Sequence, residues 1–154
     1  MKRWMWILCG LLAFCLIEET GAQVEKLQPM QLLQATKENG CICLRTDTKE
    51  FGKGNTMLTA MRDLQDTAEK KIFLETADML LLGENTEMLL PELRKLLRPA
   101  VQVCRVRGGI DLSQAALYLQ NHSSNVTIGR MTAFKELPEL KEEGGRLRLA
   151  ETNR

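Results

Sequence analysis

Three groups of side chains in this sequence have types and spacings that could do chemistry. The first is thiol chemistry: Cys41 and Cys43 stand two apart, with Cys104 far along the chain. On a strand, residues two apart share a face, so Cys41 and Cys43 would present both sulfurs together. A zinc site needs four ligands, and neither a second cysteine pair nor a nearby histidine completes the set. Two readings stay open. The three are small hydrophobes in strands, or one bridge joins Cys104 to Cys41 or Cys43, which an exported protein permits.

The second group is Phe51-Gly52-Lys53-Gly54-Asn55-Thr56, glycines ahead of a helix start. Such a loop could hold an anion on free N–H groups. The Walker spacing is missing, so a plain glycine-bearing connection is expected. The third group is Asp63, Asp66 and Glu69. Acid–base work needs carboxylates in a cleft that separates their pKa values, and these fall on the polar face of a helix. His122 is the sole histidine, in the polar run Asn121–Ser124, with no recognisable acid or nucleophile partner. Asn121-His122-Ser123 and Asn125-Val126-Thr127 match the glycosylation acceptor, which matters only in a eukaryotic secretory route. The expectation is a protein that is not an enzyme, with no catalytic, metal or cofactor-binding residue and no cofactor. The alternative is a secreted small-ligand binder or enzyme, its site lined by Gly52–Thr56 or the segment around Asp111.

Charge excludes little but points away from nucleic acid. Twenty-one basic and 20 acidic side chains leave a formal charge of +1, so no global field favours a polyanion. The N-terminus is more telling. Lys2 and Arg3 precede an apolar or neutral run from Trp4 to Ile17, closed by Glu18 and Glu19, with Thr20-Gly21-Ala22 suiting a cut after Ala22. Residues 1–22 therefore read as a secretory signal peptide or a retained membrane anchor. Lipidation at Cys15 is a further option, off-pattern because Phe14 precedes it. Residues 23–150 read as a single domain, exported to the outer face of a membrane or secreted, with 151–154 as a frayed tail.

The elements that must position these groups follow from periodicity. Leu27–Thr36 reads as a strand, Asn39-Gly40 as a hairpin turn, and Cys41–Thr46 as the return strand. Asn55 or Thr56 caps a first helix whose stripe is Leu58, Met61, Leu64 and Ala68. Lys71–Leu82 is a strand region, its apolar end suited to a strand covered on both faces. Asn85 offers a second cap. Met88, Leu89, Leu93, Leu96 and Leu97 form a second stripe, or the helix starts near Leu90 with Pro91 in its first turn. Ala100–Arg107 alternates as a strand, and Asp111 caps a third helix bearing Leu112, Ala115, Ala116 and Leu119. Val126–Lys135 reads as strand or short helix, and the segments flanking Gly144-Gly145 as a last hairpin. The order is β-β-α-β-α-β-α-(β-β): an α+β or α/β fold, with about three helices on one small mixed sheet.

Three segments carry a family resemblance: Gly54-Asn55-Thr56 with the Ala60, Leu64 helix; Lys71–Glu84; and Pro99–Leu119. From about Val24 to residue 150 their order resembles the N-terminal domain of the C subunit of bacterial spore germinant receptors, the Ger(x)C family. The closing Leu137–Leu140 and Gly145–Leu149 are similar to the hairpin that leaves that domain. The resemblance implies a lipoprotein-like, membrane-proximal envelope protein of a spore-forming bacterium. It implies a role in germination through contact with membrane-embedded receptor subunits.

Overall fold

The structure, a computed structural model, describes residues 27–131 and 137–150. The signal or anchor at 1–22, with Cys15, lies outside the described residues, as do 132–136 within the Val126–Lys135 reading and the tail 151–154. No helix among the described residues is long and apolar enough to cross a membrane.

The fold is α+β. Its strands are β1 (Leu27–Pro29), β2 (Leu32–Glu38), β3 (Cys41–Thr46), β4 (Phe51–Gly54), β5 (Lys71–Phe73), β6 (Met79–Leu82), β7 (Gln102–Val106), β8 (Glu139–Glu143) and β9 (Arg146–Ala150). Three α-helices are described: α1 (Met57–Thr67), α2 (Leu90–Leu96) and α3 (Leu112–Asn121). Seven strands form a mixed sheet in the order β4-β3-β2-β6-β7-β8-β9, and β1 pairs with β5 in a separate parallel ribbon. β2, β6, β7 and β8 run parallel at the centre, with the β2–β3–β4 meander and the β8–β9 hairpin antiparallel at its flanks. Asn39 and Gly40, at φ 51° and 81°, make the tight β2–β3 turn.

Alternation along the central strands divides the core. Leu33, Ala35, Leu80, Leu82 and Val103 face one way, packing with Ala60, Leu64 and Leu93 of α1 and α2. Leu32, Leu81, Cys104, Val106 and Leu140 face the other, under Ala115, Ala116 and Leu119 of α3. β6 is buried at all four residues, as a central parallel strand covered on both sides should be.

The glycines of β4 are where the sequence reading is corrected. Phe51–Gly54 is an edge strand, not a connection. A Cβ on Gly52 would stand 2.5 Å from Leu64 Cβ and closer still to Ala60 O, and one on Gly54 would overlap Ala60 N and Thr59 Oγ1. The α1 backbone thus lies directly on β4, which only glycine allows. This contact sets the helix rotation. Met57, Ala60 and Leu64 are buried, while Leu58, expected in the stripe, is 70 % exposed. α1 also closes the outer edge of β4: Asp63 Oδ2 accepts from Lys53 N at 2.8 Å, and Thr67 Oγ1 donates to Phe51 O at 2.8 Å. Edge groups satisfied in this way offer no template to another strand.

Other boundaries shift for local reasons. Leu27–Thr36 is two strands, because Pro29 cannot continue a ladder and β1 pairs with β5 instead. Lys71–Leu82 is broken by a 3-10 turn at Leu74–Thr76, where Thr76 Oγ1 accepts from Met30 N at 3.0 Å. Asn85 is not a cap: it holds a left-handed φ of 57°, a short 3-10 turn follows at Glu87–Leu89, and α2 begins at Leu90 with Pro91 in its first turn. Leu89, Leu93 and Leu97 are buried, whereas Met88 and Leu96 are exposed, since seven helical residues present only a narrow face. Thr127 makes an isolated bridge to Gln102, with a turn after it, in place of the expected strand or helix.

Gly52→Ala forces the α1 backbone off the sheet. The expected cost is about 3 kcal/mol, the upper range for overpacking, and a fall in Tm on the order of 10 °C. Thermal unfolding monitored by circular dichroism checks this; a shift within about 2 °C would show that α1 is not seated on β4.

Candidate functional site

α3 covers only part of its side of the sheet. The rest of that face is built from the polar positions of β2 and β3: Gln34 lies opposite Arg45 in the ladder, Thr36 opposite Cys43, and Glu38 opposite Cys41. Two concavities open here and share Arg45. One, of about 490 Å³, runs from Arg45 over Asp47 and Phe51 to Asp111 and Ser113 at the start of α3. The other, of about 390 Å³, runs from Gln34, Glu38 and Arg45 to Gly83–Asn85 and Gly108-Gly109. The second lies at the carboxyl ends of β2, β6 and β7. In open parallel sheets ligands bind in that position.

Local sequence explains the walls. Gly83 closes β6 by donating its N–H to Ala35 O at 2.9 Å. Gly108, at φ 79°, turns the chain from β7 across the sheet, and Asp111 caps α3 by accepting from Gln114 N at 3.0 Å. Asp47 ties the β3–β4 loop to the start of β2, with Oδ1 3.2 Å from both Gln31 N and Leu32 N. The Arg45 guanidinium is the charge shared by the two cavities. It lies 3.9 Å from Glu38 and 5.5 Å from the centre of the Phe51 ring. Both are weak tethers for a half-exposed side chain.

Four polar residues are buried among those described: Gln34, Thr46, Thr86 and Ser124. Thr46 Oγ1 lies 2.8 Å from Thr48 Oγ1, Thr86 Oγ1 donates to Gly83 O at 2.8 Å, and Ser124 Oγ donates to Val103 O at 3.1 Å. Gln34 differs. It is 4 % exposed, and its side-chain amide makes no hydrogen bond among the described residues.

A second charged cluster sits at the end of β7. The largely buried Glu139 carboxylate is ringed by Arg107 at 2.9 Å, Lys141 at 3.4 Å and Arg105 at 3.8 Å. Arg107 Nε approaches Glu139 Oε1 within ion-pair distance but off the hydrogen-bond direction, so that oxygen keeps no directed donor. Arg107 also reaches Glu84 at 3.7 Å. The cluster joins the β6 and β7 loops to β8.

The residues singled out from sequence do not converge. Gly52 and Gly54 form the seat of α1, and Thr56 caps that helix by accepting from Thr59 N at 3.2 Å. Asp63 closes the β4 edge, while Asp66 and Glu69 are exposed on α1 and beyond its end. His122 ends α3: its Nδ1 lies 3.0 Å from Tyr118 O, and its ring stacks on Tyr118 at 4.2 Å. Asn121 and Asn125 are exposed. The Asp111 segment and Phe51, at the head of the glycine-bearing group, reach a cavity. Gln34 went unnoticed because a single polar residue in an apolar strand carries no sequence sign of being unpaired. No group of His, Cys, Asp or Glu among the described residues could hold a metal.

Cys41, Cys43 and Cys104 are all free, which corrects the bridged reading. Cys43 and Cys104 lie on strands three spacings apart, about 14 Å, far beyond disulfide reach. Burial, with Glu38 nearby, pushes the Cys43 thiol up, and burial pushes Cys104 up to about 11. Both stay protonated at neutral pH and so are poor nucleophiles.

No family model, curated protein or solved structure matches this chain.

Iodoacetamide at neutral pH is expected to label Cys41, which is part-exposed, and to leave Cys43 and Cys104 unmodified in the folded protein. Their labelling rises only as pH approaches the thiol pKa, about 11 for Cys104. Peptide mass spectrometry reads each site, and rapid native labelling of Cys104 would contradict its burial.

Proposed function

We propose that this chain is a non-enzymatic, extracytoplasmic accessory protein, related to the N-terminal domain of germinant-receptor C subunits. It acts by contact with membrane-embedded receptor subunits in spore germination. The observation that carries this reading is an apolar groove between α1 and α2, about 260 Å³, lined by Met57, Leu58, Met61 and Leu96 with Glu92 and Lys95 on its rim. Leu58 and Leu96 are 70 % and 39 % exposed. Leu58 and Leu96, left in water between two helices beside Met57 and Met61, suit a partner helix laid into the groove. The resemblance supports the same reading. Its three segments supply β4 with α1, β5 with β6, and β7 with α3, consecutive parts of one architecture. The export signal at residues 1–22 would place the domain beside such subunits.

A secreted small-ligand binder is the second reading, favoured by the two cavities that meet at Arg45.

The test uses the full chain at its own locus, tagged, with Leu58→Glu and Leu96→Glu together. Both side chains are exposed, so Tm is expected to stay within a few degrees of wild type. Wild type should co-purify with membrane-embedded receptor subunits from spore membranes, and the double variant should lose at least about tenfold of that recovery. Recovery of wild type without any receptor subunit, or normal germination of a deletion strain under every germinant tried, would overturn the proposal.

A further inference from the structure

We propose that the cavity at the carboxyl ends of β2, β6 and β7 binds a small uncharged polyhydroxyl molecule, a mono- or disaccharide. Its volume, about 390 Å³, falls within the range of small-ligand sites, roughly 300–1,000 Å³. Gln34 forms its floor. Gln34 is 4 % exposed and its amide has no protein hydrogen-bond partner, whereas the other three buried polar residues among those described each have one. The only fully buried unpartnered side-chain atom among the described residues is Glu139 Oε1, so the Gln34 amide still reaches the open cavity. A ligand in the cavity can supply both a donor and an acceptor to that amide. A hydroxyl does both.

Charge selects the ligand class. Lys37 and Arg45 line the cavity with Glu38 and Glu84, two of each sign. A carboxylate or phosphate entering would meet the two glutamates, and an amine would meet the two cations. A neutral ligand meets neither penalty. The side chains present are the planar, two-pronged kind: the amides of Gln34 and Asn85, the Arg45 guanidinium, and the Glu38 and Glu84 carboxylates. Each can bridge two adjacent hydroxyls. Gly108 and Gly109 add main-chain donors, since neither N–H is used by a protein acceptor among the described residues. This site lies across the sheet from the α1–α2 groove, so either can fail without the other.

The experiment is a ¹⁵N–¹H correlation titration of the full chain, in a detergent without a sugar headgroup. Glucose, N-acetylglucosamine and trehalose are the probes, with acetate and inorganic phosphate as charged comparisons. The expected result is a saturable shift of the Gln34 side-chain amide and of the Gly108 and Gly109 amides for at least one saccharide. The charged compounds should leave them unmoved. Gln34→Leu is expected to abolish the shift of Gly108 and Gly109 while keeping Tm within a few degrees of wild type, because the amide it removes has no protein partner. No response to any saccharide, a response to acetate or phosphate instead, or a Gln34→Leu protein that still binds would each overturn the proposal. So would a marked fall in Tm for Gln34→Leu, which would give the amide a structural partner.

Discussion

The missing side chains at Gly52 and Gly54 let the backbone of α1 rest on β4, and the architecture on that side of the sheet is built outward from this contact. With α1 so close, Asp63 and Thr67 reach the outer edge of β4 and satisfy it. The same rotation turns Met57, Ala60 and Leu64 into the core and leaves Leu58 in water. The apolar groove between α1 and α2 is therefore a consequence of how tightly the helix is seated. At the far edge Tyr118 of α3 does related work, its hydroxyl accepting from Leu149 N of β9 at 3.2 Å. Both edge strands are held by helix side chains, which protects them from pairing with another chain.

The two faces of the sheet are used differently. One is covered by α1 and α2 over an apolar surface continuous from Leu33 to Val103. The other is apolar only beneath α3, and β2 and β3 turn polar where α3 does not reach. A polar, partly roofed sheet face at the carboxyl ends of parallel strands is a setting for recognition. The depth of the site comes from the glycine loops after β6 and β7, which cross the top of the sheet without filling it.

Local signals were legible. Asn39-Gly40 marks its turn, Thr56 and Asp111 cap their helices, the apolar run at Met79–Leu82 is a covered strand, and Gly144-Gly145 sits in the last hairpin. Each depends on residues within a few positions of one another. What depended on distant packing was not legible. β4 has two glycines in four residues, a composition that argues against a strand, and it exists because α1 lies over it. The α1 stripe was misplaced by one position at its start for the same reason. The thiols of Cys41 and Cys43 share a face as their spacing required, but their separation from Cys104 depends on the sheet order β3-β2-β6-β7. Gln34 became a candidate only once its surroundings were known.

The seating of α1 is tested most directly by native-state hydrogen exchange. If α1 and β4 form one unit with the central sheet, the bonded Lys53 amide and the amides of Ala60–Leu64 should open only with global unfolding. Their opening free energy would then match that of Leu80–Leu82 in β6. A lower free energy for Lys53 and α1, with β6 still protected, would mean that α1 peels away on its own and that the glycine seat does not hold this side of the fold together.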